Sequence, residues 1–398
     1  MIVHILFFRG DMDLIGLKYI IVGAGLWGSV LAERIATILG QKVVVIDKRD
    51  HIGGNSFSKI NDETGIEFHC YGTHIFHTKI EKVWDYFNQF TDFTNYQHKV
   101  LTQYKNCIYS MPINLATINQ YYGLNLHPFE VENFITRENS TSQVKNPANL
   151  EEKAISLIGA PLYEAFIKGY TQKQWEIDPK LLPADIITRL PVRYNYNANY
   201  FNDPYQGLPR NGYGNFFKKI LSHPNISVHL NVDYFQIRNL IPADCKVIYT
   251  GPIDRLLDFK YGPLDWRSVR FEKEVVDVVD YQGTSVLNFA DLEIPFTRVH
   301  EFKHLHLERN YLETNIYPKT LLFKEYSKKY SPHYDPDPYY PINDKANNEK
   351  HQLYLKEITN TLPAFLIGGR IGQYCYWDMD RAVENALDTF ENIFKKKV

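Results

Sequence analysis

The first residues in this chain whose spacing could do chemistry are Gly23, Gly25 and Gly28, in Gly23-Ala-Gly-Leu-Trp-Gly28 after the apolar run Tyr19-Ile-Ile-Val22. A helical pattern follows over Leu26 to Leu39. Gly23 suits a tight turn, Gly25 a close backbone approach to a pyrophosphate, and Gly28 tight packing of helix on strand, with helix N–H groups facing the anion. A second β-branched run, Lys42-Val-Val-Val-Ile46, ends at Asp47. An acid about 20 residues after such glycines is placed to accept hydrogen bonds from an adenosine ribose. The pattern predicts a dinucleotide site; the alternatives are plain turns and a solvated strand-end acid.

Further along, the paired Gly53 and Gly54 again let backbone approach a ligand, and beside the first motif they point to FAD more than to NAD. His74 and His77 lie three apart with no third ligand near, a spacing more often structural or ligand-facing than metal-bound. His74 is expected to face the flavin. Arg189 and Arg193 flank Pro191 in a loop, where an arginine can move between solvent and a ligand or serve as plain surface charge. Arg298 falls in an alternating run and can project from a rigid sheet face.

These residues need elements to hold them. Apolar residues recur at helical spacing through 113–122, 129–135, 150–158 and 161–170, which predicts a helical domain inserted over about 110–190. Ile226–Leu230, Lys246–Thr250 and Phe365–Ile367 read as further strands of a parallel sheet, and 353–359 as a helix. From about Leu264 the period switches to two, in Val269–Val276, Ser285–Phe289 and Phe296–Phe302, as antiparallel strands would. The stretch Tyr334–Pro341, broken by prolines, reads as an ordered loop on the cleft. A final helix after Asp380 could turn its N-terminus to the flavin's pyrimidine end. The expected class is α/β: a Rossmann-like FAD-binding domain (18–80, 206–262 and 345–398) with an inserted helical bundle domain (110–190) and an antiparallel β-sheet domain (81–109, 191–205 and 263–344). Residues 1–17 read as an N-terminal extension outside the fold, with Met12 as an alternative start.

Length and composition bound the rest. A chain of 398 residues suggests two or three domains, with room for a cofactor between them. Lys+Arg 44 against Asp+Glu 46 gives a net charge of -2, which argues against a nucleic-acid or acidic-membrane partner and leaves any anion to local arginines. Cys70, Cys107, Cys245 and Cys375 are scattered without metal-type spacing or a disulfide framework, so no metal is expected and the cytoplasm is the simplest setting. No run approaches about 18 apolar residues, so no membrane span is expected. With 29 Tyr and 24 Phe, a sugar- or base-binding cleft could draw on many rings.

Several strings together resemble one family, the prokaryotic type of UDP-galactopyranose mutase. They include Gly23-Ala-Gly-Leu-Trp-Gly28, His51-Ile-Gly-Gly-Asn55, His74-Ile-Phe-His-Thr78, Lys168-Gly-Tyr-Thr-Gln-Lys-Gln-Trp175, Arg189-Leu-Pro-Val-Arg193, Tyr249-Thr-Gly-Pro-Ile-Asp254 and Gly368-Gly-Arg370. The likeness runs from about Lys18 to the end. It implies a flavoenzyme that interconverts UDP-galactopyranose and UDP-galactofuranose without net redox change, active when its FAD is reduced, with N5 of the flavin attacking the anomeric carbon as UDP leaves. It also implies a reduced nicotinamide or flavin reductase as electron donor, and a homodimer.

Residue by residue, the resemblance implies that Arg189 and Arg298 face the diphosphate, where fixed guanidinium charge suits the departing oxygens. Tyr200, Tyr340 and Tyr376 match tyrosines on the diphosphate. Tyr170 and Phe166 match aromatics beside uracil, with Thr171 near them, Trp175 a tryptophan by the sugar, and Asn288 an asparagine in the cleft. Gly23, Gly25, Leu26, Trp27, Gly28, Asp47, Lys48, Gly54, Asn55, His74, Ile75, Arg370, Asp378 and Met379 would hold the cofactor. Three departures stand out. Asp47 replaces a usual Glu, Thr73 replaces the small residue or Pro before the histidine, and His98 falls where a substrate-binding Asn aligns. Two other readings share the glycine motifs: a flavin oxidoreductase of the amine oxidase or desaturase type, and a non-catalytic nucleotide-binding regulator. The first has no need of paired arginines for a diphosphate, and the second no need of Trp175 with Arg189 and Arg298.

Overall fold

The computed structural model describes residues 12, 14–138, 146–189, 191–332, 334, 335 and 337–395; the side chains of Asp185, Thr188 and Arg189 lie outside the described residues. Val43–Ile46 is a run of four β-branched residues, and all four are buried, as a parallel strand covered on both faces requires. It pairs in parallel with Tyr19–Val22 on one side and Ile226–His229 on the other. Lys246–Tyr249 and Phe365–Ile367 complete a five-stranded sheet on the far side of Tyr19–Val22. The order makes Tyr19–Val22 the strand from which the chain winds in both directions, and the crevice at the carboxyl end of such a strand is where dinucleotides bind.

A second sheet has seven strands: Tyr340–Pro341, Trp266–Val276, Thr320–Lys329, Arg298–Glu301, Val286–Phe289, Val100–Tyr104 and Cys107–Met111, in that order. Its pairs are antiparallel except Val286–Phe289 against Val100–Tyr104, which runs parallel. The helical part follows that last strand directly. Asn114 opens Leu115–Tyr122 with a reciprocal cap, accepting from the N–H groups of Ala116 and Thr117. Pro128–Glu138 and Leu150–Ile158 add apolar faces to the same core, around Ile118, Val131, Ala154 and Tyr163.

Several expectations are corrected here. Leu17 is buried, and Met12 and Leu14 pack against the same core, so the described part of 12–17 belongs to the fold because its leucines have an apolar surface to cover. Residues 1–11 and 13 lie outside the described residues. A division at 109/110 would cut the strand Cys107–Met111, and the helix Glu81–Asn88 buries Val83, Tyr86 and Phe87 in the nucleotide-domain core rather than belonging to the sheet domain. The expected helix at 353–359 extends over Lys345–Thr361, capped by Asp344, because its polar first turns carry no apolar period to read. The long strand Thr320–Lys329 carries no clean alternation and was not expected at all.

Gly23 has φ +111, and a Cβ on Gly28 would lie 2.2 Å from the Gly23 carbonyl oxygen and 3.1 Å from Ile21 Cγ2. Helix Leu26–Ile38 therefore sits on its strand at a distance that admits only glycine. Gly28→Ala should lose about 1–3 kcal/mol to this overpacking. Urea denaturation followed by circular dichroism measures it, and an unchanged midpoint would contradict the close-packing role.

Candidate active site

The nucleotide half is built at the end of Tyr19–Val22. Gly25 is the N-cap of Leu26–Ile38, a helix with no side-chain cap and no acid in its first turn, so its leading N–H groups are available to an anion. The second glycine pair docks onto the first: Gly53 N–H donates to the Ala24 carbonyl at 2.8 Å. Asp47 Oδ2 accepts from Ala24 N–H at 2.8 Å and Oδ1 from Arg49 N–H at 2.9 Å. Each carboxylate oxygen keeps a lone pair for a ribose hydroxyl. A cavity of about 570 Å³ opens between these segments. Of the expected cofactor residues, Gly23, Gly25, Leu26, Trp27, Gly28, Asp47, Lys48, Gly54, Asn55, His74, Arg370, Asp378 and Met379 line it. Ile75 does not: its side chain is buried in the core of the nucleotide domain.

Residues that sequence reasoning passed over also line this cavity. Arg49 donates to Asn55 Oδ1 at 2.8 Å and pairs with Asp337 at 2.7 Å. Thr250 Oγ1 donates to the Val22 carbonyl at 2.8 Å, and Arg255 pairs with Asp233 at 2.7 Å at the far end. The string Tyr249-Thr-Gly-Pro-Ile-Asp254 carries the signal for Thr250; Arg255 lies one residue past it. The proline-rich loop does lie on the cleft, contributing Asp335, Asp337 and Pro338 to the cavity wall.

His74 sits where this cavity turns toward the second sheet. Its Nδ1 lies 2.8 Å from the Gly72 carbonyl, which can only accept, so the proton is on Nδ1 and Nε2 keeps its lone pair. Burial, reinforced by Arg370 and His300, pushes its pKa down to about 4, so the ring is neutral near pH 7. His77 goes elsewhere: its Nδ1 is 2.5 Å from Asp203 Oδ2 and its ring stacks on Phe201 at 3.6 Å. The two histidines do not form a ligand pair.

The second half is organised by sheet register. Asn288 stands opposite Arg298, and Arg298 opposite Glu325, so the three form one row across adjacent antiparallel strands. Directly opposed residues project to one face. The Arg298 side chain is 29% exposed and that of Glu325 only 6%, so the guanidinium looks into the cleft while its counter-charge lies beneath. Arg298 Nε is buried and makes no hydrogen bond, 3.4 Å from Glu325 Oε1; Nη2 donates to the Tyr170 hydroxyl. Burial alone would raise the Glu325 carboxyl, but Arg298 and the hydrogen bond from His300 outweigh it and hold it at about 2. Asn288 Oδ1 is buried without a partner.

Tyr170, Thr171 and Trp175 share the helix Gly169–Trp175, entered through the π-helical turn Tyr163–Lys168. Lys173 ties this helix to the sheet: Nζ donates to the carbonyls of Phe289, Asp291, Ile294 and Phe296 at 2.7–3.1 Å. Arg267 fastens the same C-terminal end through the Gln174 carbonyl and Glu176. Phe166 is buried, its ring edge-to-face with Tyr104, Tyr109 and Tyr121. Tyr200 N–H donates to the His98 carbonyl at 2.8 Å, and its loop is held by Arg193, which donates to the Asn197 and Asn199 carbonyls and to Asn202. Arg193 is thus a loop anchor. His98 is buried against Tyr200, and burial, with Arg298 adding, lowers its pKa to about 3. Tyr340 stacks on Tyr376 at 5.4 Å, and Arg370, from the cavity wall, lies 5.9 Å from the Tyr340 ring. Arg298 and Glu325 both act on the hydroxyls of Tyr170 and Tyr340. Arg189 ends a short 3-10 helix, Ala184–Arg189, rather than lying in the open loop expected, and its side chain lies outside the described residues.

Comparisons with known proteins point to one family. The family model for UDP-galactopyranose mutase matches residues 165–376, and that for an NAD(P)-binding Rossmann-like domain matches 21–90. A probable UDP-galactopyranose mutase of Klebsiella pneumoniae is 39% identical over 373 residues, spanning 93% of this chain and 92% of that protein. The dTDP-fucopyranose mutase of Escherichia coli is 37% identical, spanning 93% of this chain and 97% of its own length. A crystal structure of reduced UDP-galactopyranose mutase superposes with a TM-score of 0.70 at 16% identity, covering 96% of this chain and 94% of that one. Among the described residues, no helix is long and apolar enough to cross a membrane.

Glu325→Gln removes the counter-charge beneath Arg298 and should cost about 3 kcal/mol in chemical denaturation. The folded carboxyl titrates at about 2 against an ordinary 4.5, so its contribution is complete above pH 4.5 and is lost as pH falls toward 2. Stability measured across that window should fall less steeply in the variant. Equal slopes would place the acid sensitivity elsewhere.

Proposed function

This chain belongs to the UDP-galactopyranose mutase family, and on that premise we propose that it interconverts UDP-galactopyranose and UDP-galactofuranose with FAD as its cofactor. The observation that carries the reading is the junction of the two halves: His74 and Arg370 line the nucleotide cavity, and Arg370 reaches the Tyr340 ring beside the Arg298 cleft. A long dinucleotide held at Gly25 would extend along this cavity toward His74 and Arg370, beside residues suited to a second, diphosphate-bearing ligand.

The residues present fit such a cofactor. The uncapped N-terminus of Leu26–Ile38 suits its pyrophosphate, Asp47 its ribose, and the Nε2 lone pair of His74 would accept from an N–H donor on its ring. When bound and reduced, FAD supplies through N5 the nucleophile for the anomeric carbon, with no net redox change over the cycle. Arg298, with Arg189 as its proposed partner, neutralises negative charge as the diphosphate leaves. Tyr200, Tyr340 and Tyr376 offer hydroxyls to the diphosphate oxygens. Tyr170, Thr171 and Trp175 frame the base and sugar, and Phe166 backs them from within its aromatic cluster. The unpaired Oδ1 of Asn288 accepts from a substrate hydroxyl. Because Lys173 already fixes the helix bearing Tyr170, Thr171 and Trp175, these three are set before the substrate arrives. The family points to a reduced nicotinamide or a flavin reductase as electron source and to a homodimer. The four unpaired cysteines suit the cytoplasm.

The purified protein should be yellow and should convert UDP-galactofuranose to the pyranose, followed by chromatography, only after dithionite or a reduced nicotinamide is added. The Escherichia coli relative is nearly as similar as the Klebsiella one, so dTDP-fucofuranose belongs in the same assay. A preference for it would reassign the substrate, and reduced protein inert on both sugars yet able to oxidise an amine would overturn the mutase reading. Arg298→Ala and Arg189→Ala should each keep FAD and lose about 2–3 kcal/mol of transition-state stabilisation in kcat/KM. Wild-type turnover in either would remove that arginine from the site.

A further inference from the structure

We propose that His300 and Thr73 are positioning residues, joined in a buried chain of hydrogen bonds that orients Arg298 toward a nucleotide diphosphate. The proposal rests on the diphosphate reading of Arg298. It begins from the strand Arg298–Glu301, where alternation sends Arg298 and His300 to the same face. Glu325 lies opposite Arg298 and reaches diagonally to His300, whose Nε2 is 3.0 Å from Glu325 Oε2. The other ring nitrogen, Nδ1, is 2.8 Å from Thr73 Oγ1.

Chemistry assigns every proton along this chain. Glu325 is a carboxylate and can only accept, so His300 carries its proton on Nε2 and donates it there. Burial lowers the His300 pKa, so the ring is neutral; Nδ1 is then an acceptor, and the Thr73 hydroxyl is the donor. The His300 side chain is only 1% exposed, so water has no access to substitute for either bond. The Thr297 hydroxyl also reaches Oε1, at 3.4 Å, a longer contact than the imidazole makes with Oε2 at 3.0 Å. With Oε2 held by the imidazole, Oε1 is left facing Arg298 Nε at 3.4 Å, and the guanidinium fork is aimed past it at Tyr170 and the open cleft.

The far end of the chain is equally fixed. Thr73 lies between Gly72, whose carbonyl accepts from the His74 ring, and His74 itself, whose backbone N–H donates to His69 Nδ1 at 2.9 Å. The loop bearing the cavity-facing imidazole and the strand bearing the cleft arginine are thus joined by three side chains. Alanine, glycine or proline at position 73 would offer no hydroxyl, whereas Thr73 supplies the donor that the buried His300 ring requires.

The test uses FAD-loaded protein, UDP titrated calorimetrically, turnover of UDP-galactofuranose after dithionite, and thermal melts. His300→Phe keeps the ring and removes both bonds. It should weaken UDP about tenfold and lower kcat as well as raise KM, the scale of a lost hydrogen bond to a charged group. His300→Gln can still donate to Glu325 and should recover most of that loss. Thr73→Val should weaken UDP about threefold, and Thr73→Ser should restore it. A folded His300→Phe protein with wild-type UDP affinity overturns the proposal, as does His300→Gln performing no better than His300→Phe, since ring volume would then be all that matters. Should His300→Phe fail to fold, Thr73→Val decides, and unchanged UDP affinity there is fatal. Wild-type protein that does not bind UDP overturns the diphosphate reading and this proposal together, whereas wild-type binding with unaffected variants overturns this one alone.

Discussion

Arg298 and Glu325 stand opposite one another on adjacent antiparallel strands, and the cleft is arranged around the cost of removing both charges from full solvation. Such a pair is a poor device for stability, because apolar residues of similar volume often serve the fold as well or better. Its value lies in what it leaves available. Glu325 is buried beside Arg298 on the same sheet face while Arg298 keeps nearly a third of its side chain exposed, so the carboxylate holds the guanidinium in place without consuming its outer donors. A guanidinium held this way presents charge to a phosphate with little left to reorganise.

The same logic extends outward through the backbone. Lys173 Nζ on four carbonyls of 289–296 locks the segment between Asn288 and Arg298 to the helix that carries Tyr170 and Trp175. Burial draws the Lys173 ammonium down to about 8, against the opposing pull of Asp291 and Glu293. The four carbonyl dipoles take the place of the lost water. Arg193 does for the Tyr200 loop what Lys173 does for the helix. The three cations divide the work: Lys173 spends its donors on backbone, Arg193 on backbone and the Asn202 side chain, and Arg298 keeps donors toward the cleft.

How much of this was legible follows from the range of the interactions. The glycine cradle is local: Gly23, Gly25 and Gly28 lie within six residues, and each role has a steric cause readable from its spacing, down to the contact Gly28 makes with the Gly23 carbonyl. The parallel strand Val43–Ile46 was equally plain from its β-branching. Arg298 was visible as an arginine in an alternating strand, but its counter-charge was not. Glu325 sits 27 positions away in Thr320–Lys329, whose apolar first half and polar second half show neither period, and only strand register brings the two together. Lys173 read as part of a motif without a task, since its acceptors are carbonyls, which carry no residue code. Met12, Leu14 and Leu17 pack on the core although their sequence does not announce it, because apolar side chains ahead of a first strand look the same whether or not a surface awaits them.

The histidines show how one fixed charge sets the character of its neighbours. His74, His98 and His300 all surround the cleft, and burial together with like charge nearby lowers the pKa of each. Had any of them been readily protonated, the positive field on a bound diphosphate would change across physiological pH. Held neutral, each offers direction instead of charge: a lone pair from His74, ring packing against Tyr200 from His98, and an oriented N–H from His300 to Glu325. Charge is therefore left to guanidinium groups, which do not titrate, and the imidazoles supply the geometry that keeps Arg298 aimed.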